Sequence, residues 1–179
     1  VDKLDAKPLL GGLKKKIGEA ILAEVTNTTL LAMALPNGKE GPAKTAIKTH
    51  FGATVPTALK SSHSKDKKTR LVETQPDQIF AIVEGRMKST KSLEAKAYIT
   101  DITDGWVQLR LSGANAMAAL ERLSKVDLRM PVGGSARTDL EHMGALIVRE
   151  DTDQYLLLSM SSSAKSFAHA IEVSMANVS

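Results

Sequence analysis

The segments GWVQLRLSGANAMAALERLSKVDL (residues 105–128) and GALIVREDTDQYLLLSM (144–160) follow the same plan as TLLAMALPNGKEGPAKTAIKTHF (29–51) and TRLVETQPDQIFAIVE (69–84). Each pair reads as an apolar strand, a Gly-containing turn, an amphipathic helix, a second strand, a turn with Asp-Gln and a third strand. Asp77 and Asp153 stand 76 positions apart (153 − 77), and the same spacing pairs Leu30 with Trp106, Leu71 with Ile147, Val72 with Val148, Gln78 with Gln154 and Phe80 with Leu156. A shared spacing without a gap is the mark of a duplicated unit.

The strands are read from alternation. In Trp106–Leu111, Val107, Leu109 and Leu111 fall on one face and Gln108 and Arg110 on the other, which suits a sheet with one packed and one more polar face. Leu71–Thr74 and Ile79–Val83 flank Gln75-Pro76-Asp77-Gln78, where Pro presets φ and Asp can bond nearby backbone. Ile147–Arg149 and Tyr155–Leu158 flank residues 150–154 in the same way, so both pairs read as hairpins. Helices are expected over Ala114–Leu123 and over Ser163–Ala176, the latter burying Phe167, Ala170, Ile171 and Ser174 or Met175 behind a Ser162 or Ser163 N-cap. A third helix over Lys39–Phe51 is expected to start late because of Gly41 and Pro42.

The fold class is therefore α+β: two ferredoxin-like halves in a pseudo-duplicated arrangement, antiparallel sheets with helices packed on one side. The halves are expected at 1–92, with a flexible start, and 93–179, intimately packed as one unit. Ser- and Lys-rich 58–68 is the best candidate for disorder, and 84–92 for the polar connection.

Composition bounds the chemistry. Among 179 residues, 42% are apolar and 25% charged, enough to bury a core, but only 3% are aromatic. The absence of cysteine excludes disulfides, thiolate metal sites and a cysteine nucleophile. No apolar run approaches the roughly 20 residues of a membrane span. The N-terminal VDKLDAKPLLGGLKKK lacks the apolar region of a signal peptide, so a soluble cytoplasmic protein is expected. The net charge of +4 gathers in Lys14–Lys16 and in Lys60, Lys65, Lys67, Lys68 and Arg70, read as solvated loops. Without stacking aromatics or a basic helix face, these do not make a nucleic-acid surface.

No catalytic, cofactor-binding or metal residue is assigned to this chain. His50, His63, His142 and His169 lack metal-ligand spacing, and His63 and His169 read as surface residues. Pro131–Thr138 is the nearest approach to a glycine-rich anion loop, its amides assisted by Arg137. It reads better as a turn in which Gly133 and Gly134 supply positive φ. Asp101-Ile102-Thr103-Asp104 and Asp151-Thr152-Asp153 read as turn caps rather than calcium ligands.

The run Asp101–Gly113 resembles the D-x-S-D-x-x-x-x-L-x-L-x-G segment of the gamma subunit of heterotetrameric sarcosine oxidase. Asp127-Leu128 with Pro131–Thr138, Asp153–Leu158 with Ser163–Phe167, and Thr74–Phe80 resemble further segments of that family in order. Met130 stands where the family usually has Phe, and Ile79-Phe80 where it usually has Trp.

The resemblance implies a fold related to the folate-binding domain of aminomethyltransferase. It implies a non-catalytic subunit of a complex with alpha, beta and delta partners that oxidatively demethylates sarcosine to glycine. The methyl carbon passes to tetrahydrofolate and hydrogen peroxide is released. FAD, FMN, NAD, zinc and tetrahydrofolate would be held by the other subunits, with no nucleic acid or membrane among the partners. The alternatives are a stand-alone folate-binding or aminomethyltransferase-like protein, with Trp106 and Tyr155 available to stack on a pterin, and the equivalent subunit of an N-methylglutamate dehydrogenase.

Overall fold

A computed structural model describes residues 7–57, 59–87 and 89–179. The expected flexible start falls largely on 1–6, outside the described residues, as do Ala58 and Lys88 of the two expected loops.

The first sheet contains β3 (Thr28–Ala34), β4 (Ser61–His63), β5 (Thr69–Gln75), β6 (Gln78–Glu84) and β7 (Tyr98–Asp101), in the order β4-β5-β6-β3-β7. Helix α1 (Glu40–Phe51) and the single turn α2 (Lys91–Glu94) supply its crossovers. The second sheet contains β1 (Lys14–Ile17), β2 (Ala20–Glu24), β8 (Trp106–Ser112), β9 (Ser135–Leu140), β10 (Met143–Asp151) and β11 (Gln154–Met160), in the order β1-β2-β8-β11-β10-β9. Its helices are α3 (Ala116–Glu121) and α4 (Ala164–Asn177). Every pairing is antiparallel. This is the α+β duplication expected, each sheet carrying its helices on one side.

The sheets interleave across the boundary expected at 92/93. In the first unit β7 returns after α2 and pairs with β3. Among the described residues no strand follows α4, and the equivalent place beside β8 is taken by β2. Hairpin β1–β2 thus completes the second sheet. Lys14–Lys16, expected in a loop, form the outer edge strand, where Lys discourages further pairing.

Gly113 makes this closure possible. It has φ +112, and a Cβ there would lie 2.0 Å from the carbonyl oxygen of Glu19, so only glycine lets the chain leaving β8 pass the hairpin.

Alternation sorts the side chains into three apolar layers. Leu22, Val107, Leu109, Leu111, Ile147, Tyr155 and Leu157 face α3 and α4, which bury Leu120, Phe167 and Ile171 against them. Leu31, Met33, Leu71, Ile79 and Ala81 face α1, which buries Ala43, Ile47 and Phe51. Opposite strand faces meet between the sheets: Leu30, Val72, Phe80, Ile82, Leu146, Val148, Leu156 and Leu158. The face of β8 bearing Gln108 and Arg110, expected to be the more polar one, therefore turns toward the first sheet.

The 76-residue offset holds across the hairpins and carries their irregularity with it. Both β5–β6 and β10–β11 contain a bulge, at Thr74 and at Glu150. The first strand departs from it. Leu30 pairs with Ile82, but Trp106 pairs with Met160, so β3 and β8 correspond at an offset of 78 and Leu30 matches Gln108. A slip of two residues keeps every side chain on its face, so alternation alone could not detect it.

Local chemistry shifted several boundaries. Helix α1 starts at Glu40 despite Gly41 and Pro42, because a Pro in the first turn removes only an N–H that has no helical partner. Helix α3 is shorter than expected, and α4 buries Ala168 where Ala170 was expected. Ser163 occupies the N-cap of α4 without capping it; its hydroxyl donates to the carbonyl of Met160 instead. The Ser/Lys-rich stretch expected to be disordered forms β4 and a tight turn, in which Ser64 Oγ donates to Asp66 Oδ1 at 2.6 Å and accepts from Thr69 N.

The Asp101–Asp104 turn finds its partners here. Asp101 Oδ1 accepts from both the amide and the hydroxyl of Thr103, and Thr103 Oγ1 accepts from the buried amide of Leu30 at 2.9 Å. Thr103→Ala strands that amide and should cost about 1–2 kcal/mol, read as a fall of the urea midpoint at unchanged m-value.

Candidate functional site

The only ionic cluster in the space between the sheets, among the described residues, is built on the Glu150 bulge. Glu150 Oε2 accepts from Arg110 Nε at 2.6 Å and from Gln154 Nε2 at 3.0 Å, while Oε1 accepts from Arg70 Nη2 at 3.1 Å. Arg110 belongs to β8 and Arg70 to β5, so one carboxylate ties the second sheet to the first. Arg70 also donates through Nη1 to Ser61 Oγ at 2.9 Å on β4. The side chains of Arg70 and Glu150 are each 8% exposed, whereas that of Arg110 is 41% exposed.

Sequence explains why the cluster is one-sided. The bulge of the first hairpin carries Thr74, whose hydroxyl donates to Gln78 Oε1, at the spacing by which Gln154 binds Glu150 in the second. The duplicated position holds a neutral pair in one half and a charged one in the other.

Beside the cluster opens a cleft of ≈ 250 Å³ reached by His63, Lys67, Lys68, Glu84, Gln108 and both arginines. Gln108 is 4% exposed; Nε2 donates to Thr28 Oγ1 at 2.9 Å, and Oε1 is buried without a partner. A second cleft of ≈ 670 Å³ lies on the other side of the β2–β3 connection and includes Trp106, Gln108 and Asp104. Trp106 meets Phe80 edge-on, their centroids 5.3 Å apart. A shallow groove of ≈ 620 Å³ runs along α4 past His169 and Val173.

Burial pushes the Glu150 carboxyl upward, but the hydrogen bonds and charges of Arg110, the charge of Arg70 and the bond from Gln154 outweigh it, leaving the group below the usual carboxylate value. Burial and then the charge of Arg70 hold His63 below the usual imidazole value, so the ring stays neutral more readily than in the unfolded chain. In both cases the unfolded state binds the proton more tightly. Stability is therefore complete above about pH 6.5, falls as His63 becomes protonated in the unfolded chain, and falls again below about pH 4.3 as Glu150 does. Urea midpoints measured across pH 3.5–8 should show both declines. His63→Gln should remove the upper one and Glu150→Gln should reduce the lower.

The other sequence candidates separate. His63 is exposed, as expected, but lies on β4 at the edge of the cleft rather than in a loop. His50 Nδ1 lies 2.9 Å from Ser92 Oγ, His142 occupies the β9–β10 turn with φ 65°, and His169 is on the exposed side of α4. The four do not converge, and among the described residues no group of three or more His, Cys, Asp or Glu could hold a metal ion.

The glycine-rich run is a joint between the sheets. Gly133 and Gly134 donate to the carbonyls of Arg149 and Pro131, and Ser61 N and Ser135 N close bonds to Gly133 and Leu59. Only Gly133 has positive φ; Gly134 is needed because a Cβ would lie 2.8 Å from the Pro131 oxygen. With those amides engaged, the loop has no nest left for an anion, and Arg137 points to solvent on β9. Tyr155 is fully buried on the helix side, its hydroxyl 3.4 Å from Met117 Sδ, and offers no face for stacking. Sequence reading passed over Glu150 as a turn residue. The signal present was its place 76 positions after Thr74.

Duplicated ferredoxin-like units packed sheet to sheet define the same class of fold as glycine-cleavage aminomethyltransferase. The Bartonella henselae enzyme superposes with a TM-score of 0.62 at 12% identity, over 86% of this chain but only 45% of its own. A chain of the heterotetrameric sarcosine oxidase from Corynebacterium sp. U-96 superposes with a TM-score of 0.80 at 20% identity, covering 90% of this chain and 87% of that one. No family model matches the sequence, and no curated protein matches it. No helix among the described residues is long and apolar enough to cross a membrane.

Proposed function

We propose that the chain is a non-catalytic gamma subunit of a cytoplasmic heterotetrameric sarcosine oxidase, docking on alpha, beta and delta subunits that hold FAD, FMN, NAD, zinc and tetrahydrofolate. The complex would demethylate sarcosine oxidatively to glycine, pass the methyl carbon to tetrahydrofolate and release hydrogen peroxide. The observation that carries this reading is the nearly end-to-end likeness to one chain of a sarcosine oxidase. The chain spans less than half the length of the aminomethyltransferase.

Co-expression with the three candidate partners tests it. The chain should co-elute with them in fixed stoichiometry, and sarcosine-dependent peroxide production should require the partners. A chain that elutes alone in their presence, or oxidises sarcosine unaided, overturns the proposal.

The stand-alone folate reading draws support from Trp106, half-buried at the cleft of ≈ 670 Å³. Calorimetry with tetrahydrofolate on the isolated chain separates it: saturable micromolar binding would favour that alternative. The N-methylglutamate reading is separated by offering both N-methyl amino acids to the assembled complex.

A further inference from the structure

The cluster between the sheets is electrostatically incomplete. Two guanidinium groups, Arg70 and Arg110, share the single carboxylate of Glu150. Lys67 and Lys68 bring two more cations to the same cleft, and Glu84 the one further carboxylate. That leaves four cations against two anions around ≈ 250 Å³. Arg70 is held in this place while 7% exposed, where water does little to spread its charge. The low affinity of His63 for a proton has burial and the field of Arg70 as its two largest causes.

Gln108, which borders both this cleft and the neighbouring one, carries an unused acceptor. Gln108 is 96% buried by its 4% exposure, and its Oε1 has no hydrogen-bond partner. Such an atom costs about 1–3 kcal/mol unless something donates to it. A site combining excess cations with an orphan acceptor suits a ligand that is negative and also carries its own O–H. Phosphate in its protonated forms has both properties at neutral pH; sulfate has the charge and lacks the donor.

We propose that the cleft between the sheets is a binding site for a phosphate group, with Arg70, Arg110, Lys67 and Lys68 supplying the charge and Gln108 Oε1 accepting the phosphate hydroxyl. Guanidinium forks make charge-assisted bonds to such oxygens, and Arg110 is exposed enough to turn one edge to the ligand while keeping Glu150 on the other. Because Oε1 is itself buried, Gln108 turns its amide to reach the ligand and gives up the bond from Nε2 to Thr28. The ligand is either free phosphate or the phosphate of a larger monoester; the chemistry read by the site is the same.

The test uses the full-length chain at constant ionic strength, so that general salt effects are held fixed. Titrating inorganic phosphate should raise Tm with the logarithm of its concentration above Kd, by roughly 3–5 °C at ten times Kd for a chain of this size. Sulfate should bind at least tenfold more weakly. Lys67→Gln with Lys68→Gln, both exposed side chains, should weaken phosphate about tenfold without altering the melting of the free chain. Gln108→Leu should bring phosphate and sulfate to similar affinity. Glycerol 3-phosphate in parallel identifies the source: tighter binding than inorganic phosphate assigns the group to a monoester, and equal binding to the free ion, both in support. No rise of Tm with phosphate, equal sulfate binding in the unaltered chain, or full retention in the lysine variant would each overturn the site. The result is independent of subunit assembly: co-elution with oxidase partners neither requires phosphate nor follows from it.

Discussion

Replacing Glu150 with alanine is expected to lower the melting temperature by roughly 10 °C, the largest effect of any single charged residue outside the cores. Among the described residues Glu150 is the sole anion contacting Arg70, whose side chain is 8% exposed, and it also holds Arg110 and Gln154. Removing one partner of a buried pair leaves the other charge stranded, at about 3–5 kcal/mol. For a chain of this length each kcal/mol corresponds to about 2–4 °C. Glu150→Gln keeps the acceptor oxygen and should lose less than the alanine variant. The double variant Arg70→Met/Glu150→Leu separates burial of charge from loss of contact. It should recover most of the stability, because an apolar pair of similar volume carries no desolvation cost. A double variant as unstable as Glu150→Ala would show that the cluster supplies net attraction between the sheets.

Gly113→Ala should be at least as damaging, through geometry rather than charge. The added methyl would stand 2.0 Å from the Glu19 carbonyl oxygen and 3.0 Å from Ala20 Cα, both main-chain atoms that no side-chain rotation can clear. The backbone at φ +112 is also strained for any residue with a Cβ. Hairpin β1–β2 would have to leave β8, exposing Leu22 and Ala20 from the second core. A loss of about 4 kcal/mol or more is expected. Hydrogen exchange is the measurement that locates it: protection of Ala20–Glu24 should fall before that of β10–β11. Uniform loss across both sheets would mean that the hairpin is not an independent closing element.

Most of the architecture was legible because it rests on periodicity. Val107, Leu109 and Leu111 reveal a strand by their alternation alone, Leu71–Thr74 and Ile79–Val83 are marked by the turn between them, and the common 76-residue spacing reveals the duplication. The short edge strands β1, β4, β7 and β9 were not legible. Lys14–Lys16 and Ser61–His63 have the composition of loops, and it is pairing with a neighbour that makes them strands. The polar cluster escaped for a similar reason. Arg70, Arg110 and Glu150 are 40 or more positions from one another, and nothing local distinguishes them from surface charges.

The sequence by itself determined a duplicated α+β chain with an aliphatic core and without cysteine chemistry. These follow from composition and from which residue lies next to which. Tertiary structure alone decided that the first hairpin closes the second sheet, that the first strands are slipped by two residues, and that the polar face of β8 lies between the sheets. Each of these depends on which strand edges and sheet faces meet across long separations. Alternation with period two is blind to a slip of two, and to whether a polar face looks outward to water or inward to another sheet.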